Sequence, residues 1–408
     1  MPQSVFAIKP VNFWRPALYA LLCLLLSLQS WQLCSAATLT LAVVGIDADA
    51  RYQPRRLEHN YPGHPQGRVL EAVRVAQEES SPELTAVGHT LQVKSITVPG
   101  PAQWPLLIVR IKEAHAQYVV LDMSGEDVAA FVQQAQAALP GVLFFNVTAG
   151  EDVLRGSACF SALLHTFPSV AMQYDALAQY LAARSWTQAL VLVGPTPQDQ
   201  ILRDAFARSA RRYGVKVVKQ APFKLSADPR ERDLGNIRLL TNERTYDAVV
   251  VIDSDGEFAR SVPYNTQLPR PVLGSSGLVA EAWHVQWDSN GGPQLSRRFF
   301  KSAHRPMTTQ DWAAWVAVKS IVSVLAEHPA ASPTEQLRAL RSGTIYMDGF
   351  KGPRLSYRPW DGQLRQPVFL AHADGVAAVA PFEGVMHPVE VLDTLGVDEK
   401  ESTCRQRP

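Results

Sequence analysis

From residue 39 onward, short apolar runs alternate with amphipathic stretches of helical period, and the alternation runs through twice. In the first series, "LTLAVVGI" (39–46), "HTLQVKSITV" (89–98), "QYVVLDM" (117–123) and "GVLFFNVT" (141–148) have the length and composition of strands. Between them, 66–79 puts Val69, Leu70, Val73 and Ala76 on one helical face, and 105–116 and 125–139 read as further helices. Units of this kind close by right-handed crossovers into a parallel sheet covered on both faces. The series restarts after 163–170: helix 172–183, strand 189–193, helix 198–213, strand 215–219, helix 232–242, strand 247–253 and strand 271–274. The restart predicts an α/β chain with two doubly wound, parallel-sheet lobes. Helices follow at 294–302, 310–327 and 334–341, then hairpin-like strands over 352–382 with turns at Asp361-Gly362 and Asp374-Gly375. The tail 391–408 is polar and is expected to be loosely ordered.

The first 37 residues are a separate object. Lys9 and Arg15 precede the apolar run "ALYALLCLLLSL" (17–28), and the small residues Ser35, Ala36 and Ala37 follow. This three-part layout predicts a cleaved secretory signal peptide, and therefore a periplasmic location. The apolar run is shorter than the ~20 residues a membrane helix needs. Cys23 and Cys34 leave with the leader, so Cys159 and Cys404 remain in an oxidising setting, where a disulfide between them is possible. Formal charge over the chain is +1, which leaves no basic footprint for nucleic acid.

Motifs that carry chemistry are missing. Gly194 has no partners at dinucleotide spacing, no GxxxxGK[ST] occurs, "LGSSGL" (273–278) does not meet GxSxG, and the ten histidines show no metal-ligand spacing. No metal, cofactor or catalytic residue is expected. What remains is a set of polar residues just beyond the predicted strands, where ligands of doubly wound sheets bind. These are Asp47, Ser124, Asn146 and Thr148 in the first lobe, and Thr196, Asp253, Ser254, Ser275 and Ser276 in the second. Each also has a local role open to it: Ser124, Thr196 and Ser254 suit helix N-caps.

The order of elements resembles the type I periplasmic substrate-binding proteins of ABC transporters, with the branched-chain amino acid-binding group as the nearest pattern. The resemblance covers about 38–385. It rests on "QGRVLEAVRVAQEE", "YDALAQYLAARSWTQALVLVGPTPQDQILRDAFARSARRYGVKVV", "TYDAVVVIDSDGEFARSV", "QLSRRFFKSAHRPMTTQDWAAWVAVKSIVSVLAE" and the closing "GPRLSYRPWDGQLRQPVFL". The chain is also similar to a branch of binding proteins associated with PQQ-dependent alcohol dehydrogenase systems. The family fold implies a three-segment hinge, placed near 165–169, 287–290 and 343–349. Lobe one is then 38–166 plus 289–345, and lobe two 167–288 plus 346–390.

The resemblance implies ligand contacts from Ser124, Asn146, Thr148 and Ala149 in lobe one, and from Thr196, Gln198, Ser254 and Ser275 in lobe two. The family's acidic residue for the ligand ammonium is replaced here by Ser275-Ser276, and no aromatic lies near 196–198. A buried ammonium without a counter-charge is costly, so the expected ligand is a small molecule other than an ordinary amino acid. The implied function is capture of that molecule by a monomer and its delivery to a transporter permease at the inner membrane. The alternatives are a periplasmic receptor or accessory protein without a transport role, and an exported enzyme on the same frame.

Overall fold

The computed structural model describes Gln3 and residues 36–405. The expected leader, but for Gln3 and its last two residues, lies outside them. Two parallel sheets organise the rest. The first contains β1 (Ala37–Ile46), β2 (His89–Val98), β3 (Tyr118–Asp122), β4 (Leu143–Asn146) and β5 (Leu163–His165), in the order β2-β1-β3-β4-β5. The second contains β6 (Gln188–Val193), β7 (Lys216–Pro222), β8 (Ala248–Ile252) and β9 (Val272–Gly274), in the order β7-β6-β8-β9. β1, β3, β4 and β5 run parallel, as do all four strands of the second sheet.

Burial on both faces explains why these strands read as continuous apolar runs. In the first sheet, Leu41, Val43, Tyr118, Val120 and Phe145 pack on α2 (Leu70–Ala86) and on α10 (Thr309–Glu327), which lies against it. The alternate residues Ala42, Val44, Val119, Leu121 and Phe144 pack on α3 (Trp104–Glu113) and α4 (Gly125–Ala138). The second sheet repeats the scheme. Val191, Val193, Val250 and Ile252 meet α5 (Val170–Ala183) and α6 (Pro197–Arg212), while Leu190, Leu192, Val249 and Val251 meet Ile237, Phe258 and Val262. The helix expected at 232–242 is replaced by a 3₁₀ stretch, Pro229–Gly235, and a single turn, α7 (Ile237–Leu240). Asn236 breaks the run: its backbone is extended and its side chain caps the Leu239 N–H.

Two antiparallel sheets complete the described chain. β10 (Val279–Glu281), β14 (Val368–His372) and β15 (Gly375–Ala380) form one, and β11 (Met347–Asp348), β12 (Arg354–Tyr357) and β13 (Leu364–Arg365) the other. Met347, Leu355, Tyr357 and Leu364 lie in the core under α10, whereas Val368 and Leu370 lie in the core under α5. We therefore propose that the third crossover runs through 365–368 rather than 343–349. Buried Lys351 fastens this segment. Its ammonium donates to Gln366 Oε1 (3.0 Å) and the Pro367 carbonyl (2.9 Å), and sits 3.6 Å over the Trp312 ring.

The polar tail is not loose. Cys404 is disulfide-bonded to Cys159, and Leu392 and Leu395 are buried. Asp393 bridges two guanidinium groups, at 2.8 Å from Arg358 Nε and 2.9 Å from Arg365 Nε, with Arg358 only 1% exposed. The Asp175 carboxylate accepts from Gly396 N at 2.8 Å. The tail thus supplies the counter-charge for two interior arginines, a pairing across sequence that no local pattern reports. Removing one partner of a buried pair costs ~3–5 kcal/mol because the other charge stays behind. Asp393→Ala should therefore lower the unfolding free energy by about that amount in urea titrations.

Candidate functional site

The residue after β1 begins a long connection, 47–68, which forms a strap between the lobes. Its first anchor is Asp122, the last residue of β3 and 2% exposed. Tyr52 donates its hydroxyl to Asp122, Arg51 lies 3.3 Å from the carboxylate and Arg68 lies 3.5 Å away. Asp49 completes the cluster, 2.6 Å from Arg51, and the Arg68 guanidinium stacks 4.1 Å over the Tyr52 ring. Burial pushes the Asp122 carboxyl up, opposed by Arg51; burial also works against the Arg51 charge, and the neighbouring Asp49 and Asp122 carboxylates outweigh it.

The strap then crosses to the second lobe. α1 (Pro54–His59) presents Arg56, whose guanidinium is 2.7 Å from Asp255. The Tyr61 hydroxyl donates to Glu257, and Gly63 N donates to Glu281 Oε1 at 2.9 Å. Gln310, on α10, donates back to the Gly63 carbonyl at 3.2 Å.

Between strap and sheets lies a cleft of about 390 Å³. Arg51, Arg56 and His64 line it from the strap and Glu151 from the loop after β4; Gln173 and Tyr174 come from α5. The second sheet contributes Gln198, Asp253, Ser254 and Ser275 from its carboxyl ends. Burial, with Arg56 nearby, lowers His64 to about 4, so it faces the cleft as a neutral ring near neutral pH. The Asp253 carboxyl is raised by burial, and its oxygens accept from the Ala259 and Asp255 N–H groups. Glu151 Oε2 is buried with no hydrogen-bond partner, beside Gly125 at the start of α4.

Of the eight residues expected to touch ligand, Gln198, Ser254 and Ser275 line this cleft. Thr196 stands behind them, capping α6 in a box with Asp199 and lying 3.0 Å from Ser254 Oγ. Ser275 Oγ accepts from Asp253 N at 2.9 Å, and Ser254 N donates to Asp199 at 2.7 Å, so the three loops form one bonded rim.

The first-lobe set sits apart from the cleft lining. Ser124 caps α4. Asn146 is fully buried; its amide donates to the Ala149 carbonyl and contacts His165 Nδ1, and its carbonyl accepts from Thr148 N and Ala149 N. Thr148 Oγ1 donates to the Met123 carbonyl at 2.7 Å. The strap supplies Arg51, Arg56 and His64 where the sequence pointed to these residues. The one signal for it was the basic-aromatic run "RYQPRRLEHNYPGH" (51–64), which reads as a Pro/Gly/Asn-rich loop. Among the described residues no cluster suited to a metal ion occurs.

Glu281 offers a check on the strap's contact with the second lobe. Burial raises its carboxyl to about 7, from an ordinary 4.5, opposed by the Gly63 N–H. A raised carboxyl favours folding below pH 4.5 and loses that contribution as pH rises toward 7. The stability of the parent relative to Glu281→Gln should therefore fall by up to ~3 kcal/mol between pH 4.5 and 8 in urea titrations.

No family model and no curated protein matches this sequence. Solved structures do. An amino acid ABC transporter substrate-binding protein from Pseudomonas fluorescens is 13% identical, with TM-score 0.68, covering 91% of this chain and 100% of its own. A branched-chain amino acid ABC transporter periplasmic ligand-binding protein from Burkholderia xenovorans is 13% identical, with TM-score 0.68, covering 90% and 99%. An ABC transporter solute-binding protein from R. palustris, solved with benzoate, is 12% identical, with TM-score 0.62, covering 91% and 100%. The chain has the two-lobed fold these proteins share, that of type I periplasmic binding proteins.

Proposed function

We propose that this chain is an exported solute-binding protein that closes two lobes on a small organic anion and presents it to an ABC transporter permease. The observation that carries the reading is the cleft: both lobes line it, and Arg51 and Arg56, each with a carboxylate partner of its own in Asp49 and Asp255, share its lining with Ser254, Ser275 and Gln198. Cations placed opposite neutral donors suit a carboxylate carrying further oxygen atoms. The likeness to a benzoate-bound protein of the same fold is consistent with such a ligand.

The cleft works by binding. Ligand contacts made only when both lobes meet shift the population toward the closed form, and the shift is limited by the difference in affinity between the two forms. Among the described residues lining it, the two that could suggest catalysis are otherwise engaged. Ser275 accepts from a backbone N–H, and Asp253 spends its oxygens on backbone donors. The three solved structures of this fold named above are binding proteins, which supports a binding role. The leader pattern supports a periplasmic location for the mature protein, and a monomer is part of the same proposal. A link to quinoprotein alcohol metabolism rests on the sequence resemblance alone, and a receptor without transport would use the same cleft.

One observation favours a second reading. Glu151 lines the cleft with a carboxylate that makes no ion pair among the described residues, a counter-charge for an ammonium bound there. An amino acid would then find a counter-charge from the loop after β4 in place of 273–278. Calorimetry on the mature protein separates the two. Benzoate and hydroxybenzoates should bind with roughly micromolar Kd, and Arg56→Gln should weaken them about tenfold or more, the worth of a charge-assisted hydrogen bond. Leucine binding in the micromolar range, lost in Glu151→Gln, would instead establish the amino-acid reading.

A further inference from the structure

The C-terminal tail passes from one lobe to the other and back. Leu392 is packed in the first-lobe core under α10, whereas Leu395 is packed in the second-lobe core with Val170 and Met172 of α5. Asp393 holds the first side through Arg358 and Arg365. The second side is held by α5 and the end of α6. The Tyr213 hydroxyl donates to the Thr394 carbonyl at 3.0 Å, the Arg212 guanidinium donates to the Gly396 carbonyl at 2.9 Å, and Gly396 N donates to the Asp175 carboxylate at 2.8 Å. Arg212 also lies 3.5 Å from Glu401. The chain then returns: Cys404 is bonded to Cys159, in the segment leading to β5 of the first sheet.

The lobes are parted under this tail. A cavity of about 400 Å³ lies there, lined by Asp152 and Gly156 from the first lobe, Arg208 from the second, and Val397 and Thr403 from the tail. None of its lining residues lines the interlobe cleft. Arg208 reaches across to Asp152 at 2.9 Å, but its side chain is 55% exposed. An ion pair facing solvent is weak and parts easily. The disulfide does not part when the lobes move.

Separation of the lobes at this point has to be taken up by the chain between its second-lobe contacts and Cys404. From Glu401 that is three residues, at most ~11 Å of extended chain; from Gly396 it is eight, at most ~29 Å. The tail therefore has a fixed length to give, and the end of that length is a covalent bond. Hinges of two-lobed proteins otherwise absorb opening in a few residues of the crossovers themselves.

We propose that residues 391–404 are a clasp across the hinge, a tether closed by Cys159 and Cys404 that limits how far the two lobes separate. The tail then biases the chain toward its closed form before any ligand arrives. The clasp does not depend on the solute-binding reading, because its parts are the two lobes and the tail alone.

The test is a distance measurement by pulsed electron–electron resonance on the mature protein without ligand. Maleimide nitroxide labels sit on Glu126→Cys and Ile201→Cys, exposed positions in the first turns of α4 and α6 that do not line the cleft. One variant carries four glycines inserted after Ser402, which keeps the disulfide and adds up to ~14 Å of slack. The other is the Cys159→Ser, Cys404→Ser pair, which cuts the tether. Both should show label distances extending several ångström beyond those of the parent tail. The same distances in the lengthened tail as in the parent would overturn the proposal. So would a longer distance in the serine pair with none in the lengthened tail, since the disulfide would then act by stapling the tail and not by its length. If one variant fails to fold, the other carries the comparison, and unchanged distances in it overturn the clasp.

Discussion

A carboxylate at the end of a buried strand has to be neutralised, and much of the functional half of this chain follows from how Asp122 meets that need. Its partners, Arg51, Arg68 and Tyr52, all come from the connection after β1. Drawing three residues of one loop onto one strand end pulls the whole loop across the mouth of the first sheet. The loop then reaches the second lobe, where Arg56, Tyr61 and Gly63 meet Asp255, Glu257 and Glu281. Each exposed contact is worth little by itself, ~0–1 kcal/mol for a solvent-facing ion pair. The buried cluster supplies the anchor and the outer contacts set the direction.

The same arrangement changes what the cleft offers. In the first lobe the polar atoms of Ser124, Asn146 and Thr148 are turned inward to caps and backbone groups. The strap replaces them with two guanidinium groups and a neutral imidazole. The second lobe keeps its strand-end loops open to the cleft, tied together through Asp199, Ser254 and Ser275. The cleft is therefore chemically mixed: the strap brings two guanidinium groups, the loop after β4 brings Glu151, and the second lobe brings hydroxyls beside Asp253.

How much of this the sequence showed depends on the range of each interaction. Strands β1, β3, β4, β6 and β8 were legible because burial on both faces leaves unbroken apolar runs. The α4 and α6 starts were legible because Ser124 and Thr196 cap within three residues. Ser254 and Ser275 were singled out as strand-end residues of a doubly wound sheet, a rule of topology rather than of chemistry, and Gln198 by the family resemblance. The strap has no periodicity, and its deciding contact joins residues 71 apart, Arg51 and Asp122. The tail misled for the same reason: its order comes from Asp393 meeting Arg358 and Arg365, and from Cys404 meeting Cys159, all distant in sequence.

Hydrogen exchange read by mass spectrometry, comparing the mature protein with Asp122→Asn, tests the anchor directly. Without the carboxylate, Arg51 and Arg68 keep only Asp49 as a counter-charge. Amides across 47–68 should then exchange at least tenfold faster, while those of β1, β3, β6 and β8 keep their protection. Unchanged protection of 47–68 in Asp122→Asn would contradict the account, because the strap would then be held in place by something other than this charge.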